Sequence, residues 1–95
     1  EQPDMDGMFL SNDILAAQLH SFALSQGLRI PDDLRIIGYD DIYISSLIYP
    51  PLTTIRQNYS VLAETALENV LAQINGETVE EVTVIPVELI ERKTT

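Results

Sequence analysis

Apolar residues in this chain fall into short runs, and the spacing within the runs alternates between strand-like and helix-like. Residues 7–10 are a short apolar run that reads as a buried strand. It stops at Ser11, Asn12 and Asp13, residue types that cap helix N-termini. A helical pattern follows over residues 14–26, with Gly27 as its C-cap. At about 100° per residue, Leu15, Leu19 and Phe22 share one face, and Ala16, Ala17, His20 and Leu24 share a second. Gln18, Ser21 and Ser25 leave only a narrow polar stripe. Two apolar faces predict two neighbours, one of them the sheet.

The segment "LRIPDD" reads as a loop, with Pro31 and two aspartates as its turn residues. Residues 34–39 read as a strand, and "IIGY" predicts burial on both faces. Strand, helix and strand within ~30 residues make a βαβ unit with parallel strands and a right-handed crossover. Asn12 then falls just past the carboxyl end of the first strand, and Asp40 just past that of the second. Ligands of open α/β sheets bind along that edge. Residues 42–49 read as irregular or as one short helical turn, and Pro50 and Pro51 enforce extension. A third strand is predicted over residues 52–56. A second helix, capped by Asn58 or Ser60, covers residues 59–75 and closes at Gly76. Ala63, Ala66, Leu67, Val70 and Ile74 form its apolar stripe, too broad to leave in water, so a cover is expected. An acidic loop, "ETVEE", leads to a last strand over residues 82–91, where Pro86 marks an edge or bulge.

At 95 residues the chain holds one small domain at most. It begins with Glu1 rather than Met and reads as part of something longer. Fifteen acidic residues against five basic ones give a formal charge of −10. Arg29, Arg35, Arg56, Arg92 and Lys93 are scattered, so the chain offers no phosphate-binding surface for nucleic acid. The lack of cysteine excludes a disulfide framework, a thiolate metal site and a cysteine nucleophile. It also fits a cytoplasmic protein. No stretch reaches the roughly 20 apolar residues of a membrane span, and no signal-peptide pattern is visible.

Asp40 and Asp41 are the strongest candidates for chemistry. A phosphoacceptor pocket needs a further aspartate and a nearby lysine, and the only lysine is Lys93. A metal site needs more hard ligands close together, and Asp13 is better explained by the helix start. No nucleophile–base constellation, glycine-rich dinucleotide fingerprint or Walker loop is present. The residues thus point to no enzyme, no metal and no cofactor. Spacing alone leaves a turn cap and a ligand pocket both open for the aspartate pair. His20, the only histidine, reads as packing or interface. Tyr39, Tyr43 and Tyr49 read as half-buried aromatics. Tyr59 stays open as a platform for a flat ligand.

Taken in order, "SND", "GLRIPDD", "GYDD", "PPLTTIRQ" and "ERKTT" closely resemble the C-terminal third of the LacI/GalR family of bacterial transcriptional repressors. The resemblance covers nearly the whole chain. It implies an α/β fold, a parallel-sheet βαβ unit within a two-lobed, type I periplasmic-binding-protein-like domain. Residues 1–55 would belong to the C-terminal lobe. Residues 56–77 would hold the crossover and a helix of the N-terminal lobe, and residues 78–95 the return strand and C-terminal end. The family pattern makes Asn12, Asp40 and Gln57 polar contacts to an effector, a sugar, sugar phosphate or nucleoside, and places Tyr59 on the pocket wall. A carboxylate makes strong charge-assisted bonds to vicinal hydroxyls. Members form homodimers, for which Ala17, His20, Leu24, Leu47 and Ile48 are the expected interface. Operator DNA would be reached only through a helix-turn-helix domain outside this chain. The alternative implied by the same fold is a periplasmic sugar-binding protein serving transport.

Overall fold

The computed structural model describes residues 6–95, so residues 1–5 of the expected C-terminal-lobe segment lie outside the described residues. These fall into two compact units, residues 6–56 together with 88–95, and residues 57–87.

The first unit is built on a parallel pair, β1 (Gly7–Phe9) and β2 (Arg35–Ile37), linked through helix α1 (Asp13–Ser25). The register pairs Gly7 with Arg35, Met8 with Ile36 and Phe9 with Ile37. The ladder continues sideways. Ile37 bridges Thr53 in parallel, Gly38 N donates to Thr53 O at 2.9 Å, and Asp40 N donates to Ile55 O at 2.8 Å. β3 (Thr54–Gln57) therefore runs beside the end of β2, and it also pairs with β4 (Val87–Ile90).

Helix α1 starts at Asn12, whose Oδ1 accepts the Leu15 amide at 2.8 Å. It ends at Gly27, where φ is +81° and a side chain would be strained. There Leu28 N donates back to Ala23 O at 3.0 Å, closing the last turn. The buried face is Asp13, Ala16, His20 and Ala23, at helical spacings of three and four. The small Ala16 and Ala23 let the helix approach the sheet closely, where Ile36 and Leu52 are fully buried. Ile30 and Leu34 complete this core, and Leu10, Leu19 and Ile48 pack against it.

Two strand expectations need correction. β1 is exposed along its length, and α1 packs on β2. β2 is not buried on both faces: Arg35 is exposed, Ile36 buried and Ile37 half-buried. Residues 42–49 hold a short 3-10 turn, Tyr43–Ser46, as the sequence predicts.

The C-terminal residues lie inside this unit. Thr94 is fully buried. Its hydroxyl donates to Ile36 O at 2.6 Å and accepts from Thr53 N at 2.9 Å, while its carbonyl accepts Ile36 N at 2.9 Å. Lys93 N adds a bond to Pro51 O at 3.0 Å. The tail thus fills the gap between β2 and the approach to β3 with backbone partners that would otherwise be missing.

The second unit holds helix α2 (Tyr59–Ile74), capped by Asn58 Oδ1 on the Val61 amide at 3.1 Å. It closes at Gly76, where Glu77 N donates to Ala72 O at 2.9 Å. Leu62, Thr65, Ala66 and Asn69 line a shallow groove with Glu80, Glu81, Thr83 and Ile85. The cover expected for its apolar stripe is not found among the described residues. The helix has no buried residue, and Leu67, Val70 and Ile74 are 59%, 50% and 72% exposed. The last strand is also shorter than predicted. It begins only at Val87, directly after Pro86, which has no N–H to give a ladder.

Candidate functional site

The parallel register sets the geometry of the strand ends. Phe9 pairs with Ile37, and Asn12 and Asp40 each lie three residues beyond that pair. The two candidate ligand contacts therefore follow the carboxyl ends of neighbouring parallel strands, on the same edge of the sheet. Gln57 is the last residue of β3 and Tyr59 the first of α2; both belong to the second unit.

Asp40 and Asp41 have positive φ angles, 115° and 56°. Aspartate tolerates the left-handed region better than most residues, but 115° lies outside it, and such positions cost about 1–3 kcal/mol each. Three consecutive amides hold the turn in place. Asp40 N is bonded to Ile55 O at 2.8 Å, Asp41 N to Thr54 Oγ1 at 3.3 Å and Ile42 N to Asp13 Oδ2 at 3.0 Å.

Asp41 is turned into the protein. Its side chain is 10% exposed, with Arg56 Nε 2.8 Å from Oδ2 and an Arg92 guanidinium nitrogen 2.8 Å from Oδ1. Arg92 also donates to Leu52 O at 2.8 Å and, through its backbone, to Thr53 Oγ1 at 2.8 Å. Burial works to raise the Asp41 carboxyl, but the hydrogen bonds from Arg56 and Arg92 outweigh it and hold the group below its ordinary value. This contribution to stability is complete above the unfolded carboxylate value of 3.8 and is lost as pH falls through the depressed folded value. Asp41→Asn is expected to cost about 1–3 kcal/mol near neutral pH. Thermal melts of both proteins against pH check this: the gap narrows below the ordinary carboxylate range, and a gap that widens on acidification contradicts the assignment.

Asp13 is the residue whose role sequence reasoning missed. The sequence pattern makes it a helix-start residue, but the cap is Asn12, and Asp13 is fully buried. Its Oδ2 accepts from Ile42 N at 3.0 Å and from the Ser45 hydroxyl at 2.5 Å, and its Oδ1 accepts from the Thr54 hydroxyl at 2.7 Å. The carboxylate joins α1, the 3-10 turn and β3 beneath the Asp40–Asp41 turn. Gly38 is required for the same reason, because a Cβ there would collide with the Asp13 carboxylate. The only hint in the sequence is a run of three cap-type residues, Ser11, Asn12 and Asp13, where one suffices.

His20, expected to face a second subunit, is 3% exposed. Its Nε2 donates to Pro50 O at 3.0 Å, so the ring is turned into its own chain and anchors the loop that follows the 3-10 turn. Ala17 is half-buried, Leu24 and Leu47 are exposed, and Ile48 packs against the core edge. Tyr43 and Tyr49 are largely exposed rather than half-buried, and Tyr59 is about half exposed. Among the described residues no group of three or more histidine, aspartate or glutamate side chains is placed to hold a metal ion. No described helix is long and apolar enough to cross a membrane.

Comparison with known proteins agrees with this architecture. The family model for the periplasmic binding protein-like domain matches residues 1–95. The ribose operon repressor of Bacillus subtilis (strain 168) is 43% identical over 94 residues, which cover 98% of this chain and 29% of that protein. A periplasmic binding protein/LacI transcriptional regulator from Alkaliphilus metalliredigens QYMF, solved in complex with D-xylulofuranose, superposes with a TM-score of 0.84 at 45% identity. That match covers 95% of this chain and 34% of the other. The Lac repressor dimer bound to operator and the anti-inducer ONPF superposes with a TM-score of 0.90 at 37% identity, over 95% of this chain and 32% of that one. The chain thus spans about a third of the length of these relatives or less. Matched along its full length, it belongs to the periplasmic binding protein-like domain family, and its relatives at 37–45% identity are repressors and regulators of the LacI type.

Proposed function

We propose that these residues form part of the effector-sensing domain of a cytoplasmic DNA-binding repressor, and that the part has no enzymatic role. The observation that supports this reading is the parallel register of β1 and β2, whose carboxyl ends, followed by Asn12 and Asp40, lie on the one edge where α/β sheets take ligands. Asp40 accepts hydrogen bonds from effector hydroxyls, and the Asn12 amide donates one while its oxygen caps α1. Gln57 and Tyr59 contribute from the crossover, as the family pattern implies. The effector is a small polyol, and pentoses are the first class to test. The relatives at 43% and 45% identity are a ribose operon repressor and a regulator solved with D-xylulofuranose. A thermal-shift screen of the full-length protein against pentoses, hexoses, their phosphates and nucleosides tests this. One class should raise the melting temperature in a dose-dependent way. If no polyol or nucleoside does so, the reading fails.

In the full-length protein, residues 56–77 hold the crossover and a helix of the N-terminal lobe, which covers the apolar stripe of α2. Leu67, Val70 and Ile74 are exposed enough to require such a cover. Ala17, Leu24, Leu47 and Ile48 lie in a two-fold interface between copies, with His20 supporting that surface from beneath through Pro50. Leu24→Glu puts a charge into the interface and should convert the dimer to monomer in sedimentation runs at micromolar concentration. A variant that stays dimeric contradicts the assignment. Operator DNA is bound through a helix-turn-helix domain, and a chain lacking one should not bind it.

A further inference from the structure

We infer that the Thr54 hydroxyl is a positioning group for the effector site, fixing the peptide that aims Asp40; this rests on the reading of Asp40 as an effector contact. Thr54 is fully buried at the start of β3. Its hydroxyl donates to Asp13 Oδ1 at 2.7 Å and accepts from Asp41 N at 3.3 Å. A polar relay therefore runs from a buried carboxylate, through one hydroxyl, to the amide that follows Asp40. That peptide lies between two residues with positive φ, a conformation held only if the surroundings determine it. The neighbouring amides are held by a backbone carbonyl and by Asp13 itself, so Thr54 is the one side-chain hydroxyl in the set. A residue that can both donate to the carboxylate and accept from the amide must carry a hydroxyl here; an apolar isostere can do neither.

Ser45 gives an internal comparison. Its hydroxyl donates to the same carboxylate, at Oδ2, but among the described bonds it does not reach the Asp41 amide. If Thr54 only stabilises the fold, removing either hydroxyl should have the same effect on ligand affinity. If Thr54 positions Asp40, only its removal should weaken binding.

The test is titration calorimetry of the full-length protein with D-ribose and D-xylulose, alongside thermal melts. Thr54→Val should weaken binding by on the order of tenfold. Thr54→Ser should restore it, and Ser45→Ala should lower the melting temperature without weakening binding. Equal affinity losses in Thr54→Val and Ser45→Ala, or no loss in Thr54→Val, overturn the inference. Asp40→Ala separates the two levels of the argument. If it leaves affinity unchanged, the effector reading itself fails; if it weakens binding while Thr54→Val does not, only the positioning role fails. Should Thr54→Val not fold, or neither pentose bind, amide exchange in the unaltered and Thr54→Ser proteins decides. Protection of Asp41 N–H in both supports the relay, and its absence in either overturns it.

Discussion

Gly38→Ala is expected to destabilise the domain by about 2–4 kcal/mol, a large fraction of the roughly 5–15 kcal/mol that holds a typical domain folded. The substitution adds one methyl group, and helix or strand propensity has little to do with the cost. The new Cβ would fall against the Asp13 carboxylate, with Leu52 Cδ2 at 3.0 Å on another side. Neither neighbour can yield cheaply. Leu52 is fully buried in the core, and Asp13 is fixed by bonds from Ile42, Ser45 and Thr54. Urea unfolding checks this: the midpoint should fall with little change in slope. A loss under about 0.5 kcal/mol, the range of ordinary surface changes, would show that the carboxylate does not sit where it is placed.

Asp13→Ala should be more damaging, at about 3–5 kcal/mol. It removes one acceptor group and strands three buried or half-buried donors, the Ile42 amide and the Ser45 and Thr54 hydroxyls. Each unsatisfied donor costs about 1–3 kcal/mol, and the three are too close together to add simply. The effect should reach the turn above. Amide exchange at Ile42 should rise by more than the global loss of stability requires, because its only described acceptor is gone. Exchange that rises equally across β2 and Ile42 would show that Asp13 contributes generally and does not organise the turn.

The same two residues show where the sequence was legible. The strand–helix–strand order, the capping segments before both helices and the closing glycines follow from periodicity and turn chemistry, and the structure has them within a few residues, with Asn12 and Asn58 as the caps among the candidates. The edge position of Asp40 followed from that order. The buried face of α1 was harder to read, because half of it is polar. Asp13 and His20 share it with Ala16 and Ala23, and a hydrophobic pattern assigns such residues to the surface or to a partner. Their burial depends on acceptors and donors far along the chain, Ile42, Ser45, Thr54 and Pro50, which no local period reveals. The inward turn of Asp41 was hidden for the same reason. It is set by Arg56 and by Arg92, fifty-one residues away in sequence. The tail residue Thr94, which completes the gap between β2 and Thr53, gave no signal beyond its membership of a recognisable motif.

On the proposed function two adjacent aspartates have separate tasks, Asp40 reading the effector and Asp41 holding the turn. Titration calorimetry of the full-length protein with its stabilising polyol, on Asp40→Ala, Gln57→Ala and Asp41→Ala, tests it most directly. Asp40→Ala and Gln57→Ala should each weaken binding by roughly 10- to 100-fold, the equivalent of a lost buried or charge-assisted hydrogen bond. Asp41→Ala should stay within about threefold in affinity while losing thermal stability. Equal affinity losses at all three positions, or a loss at Asp41 that exceeds the one at Asp40, would contradict the account.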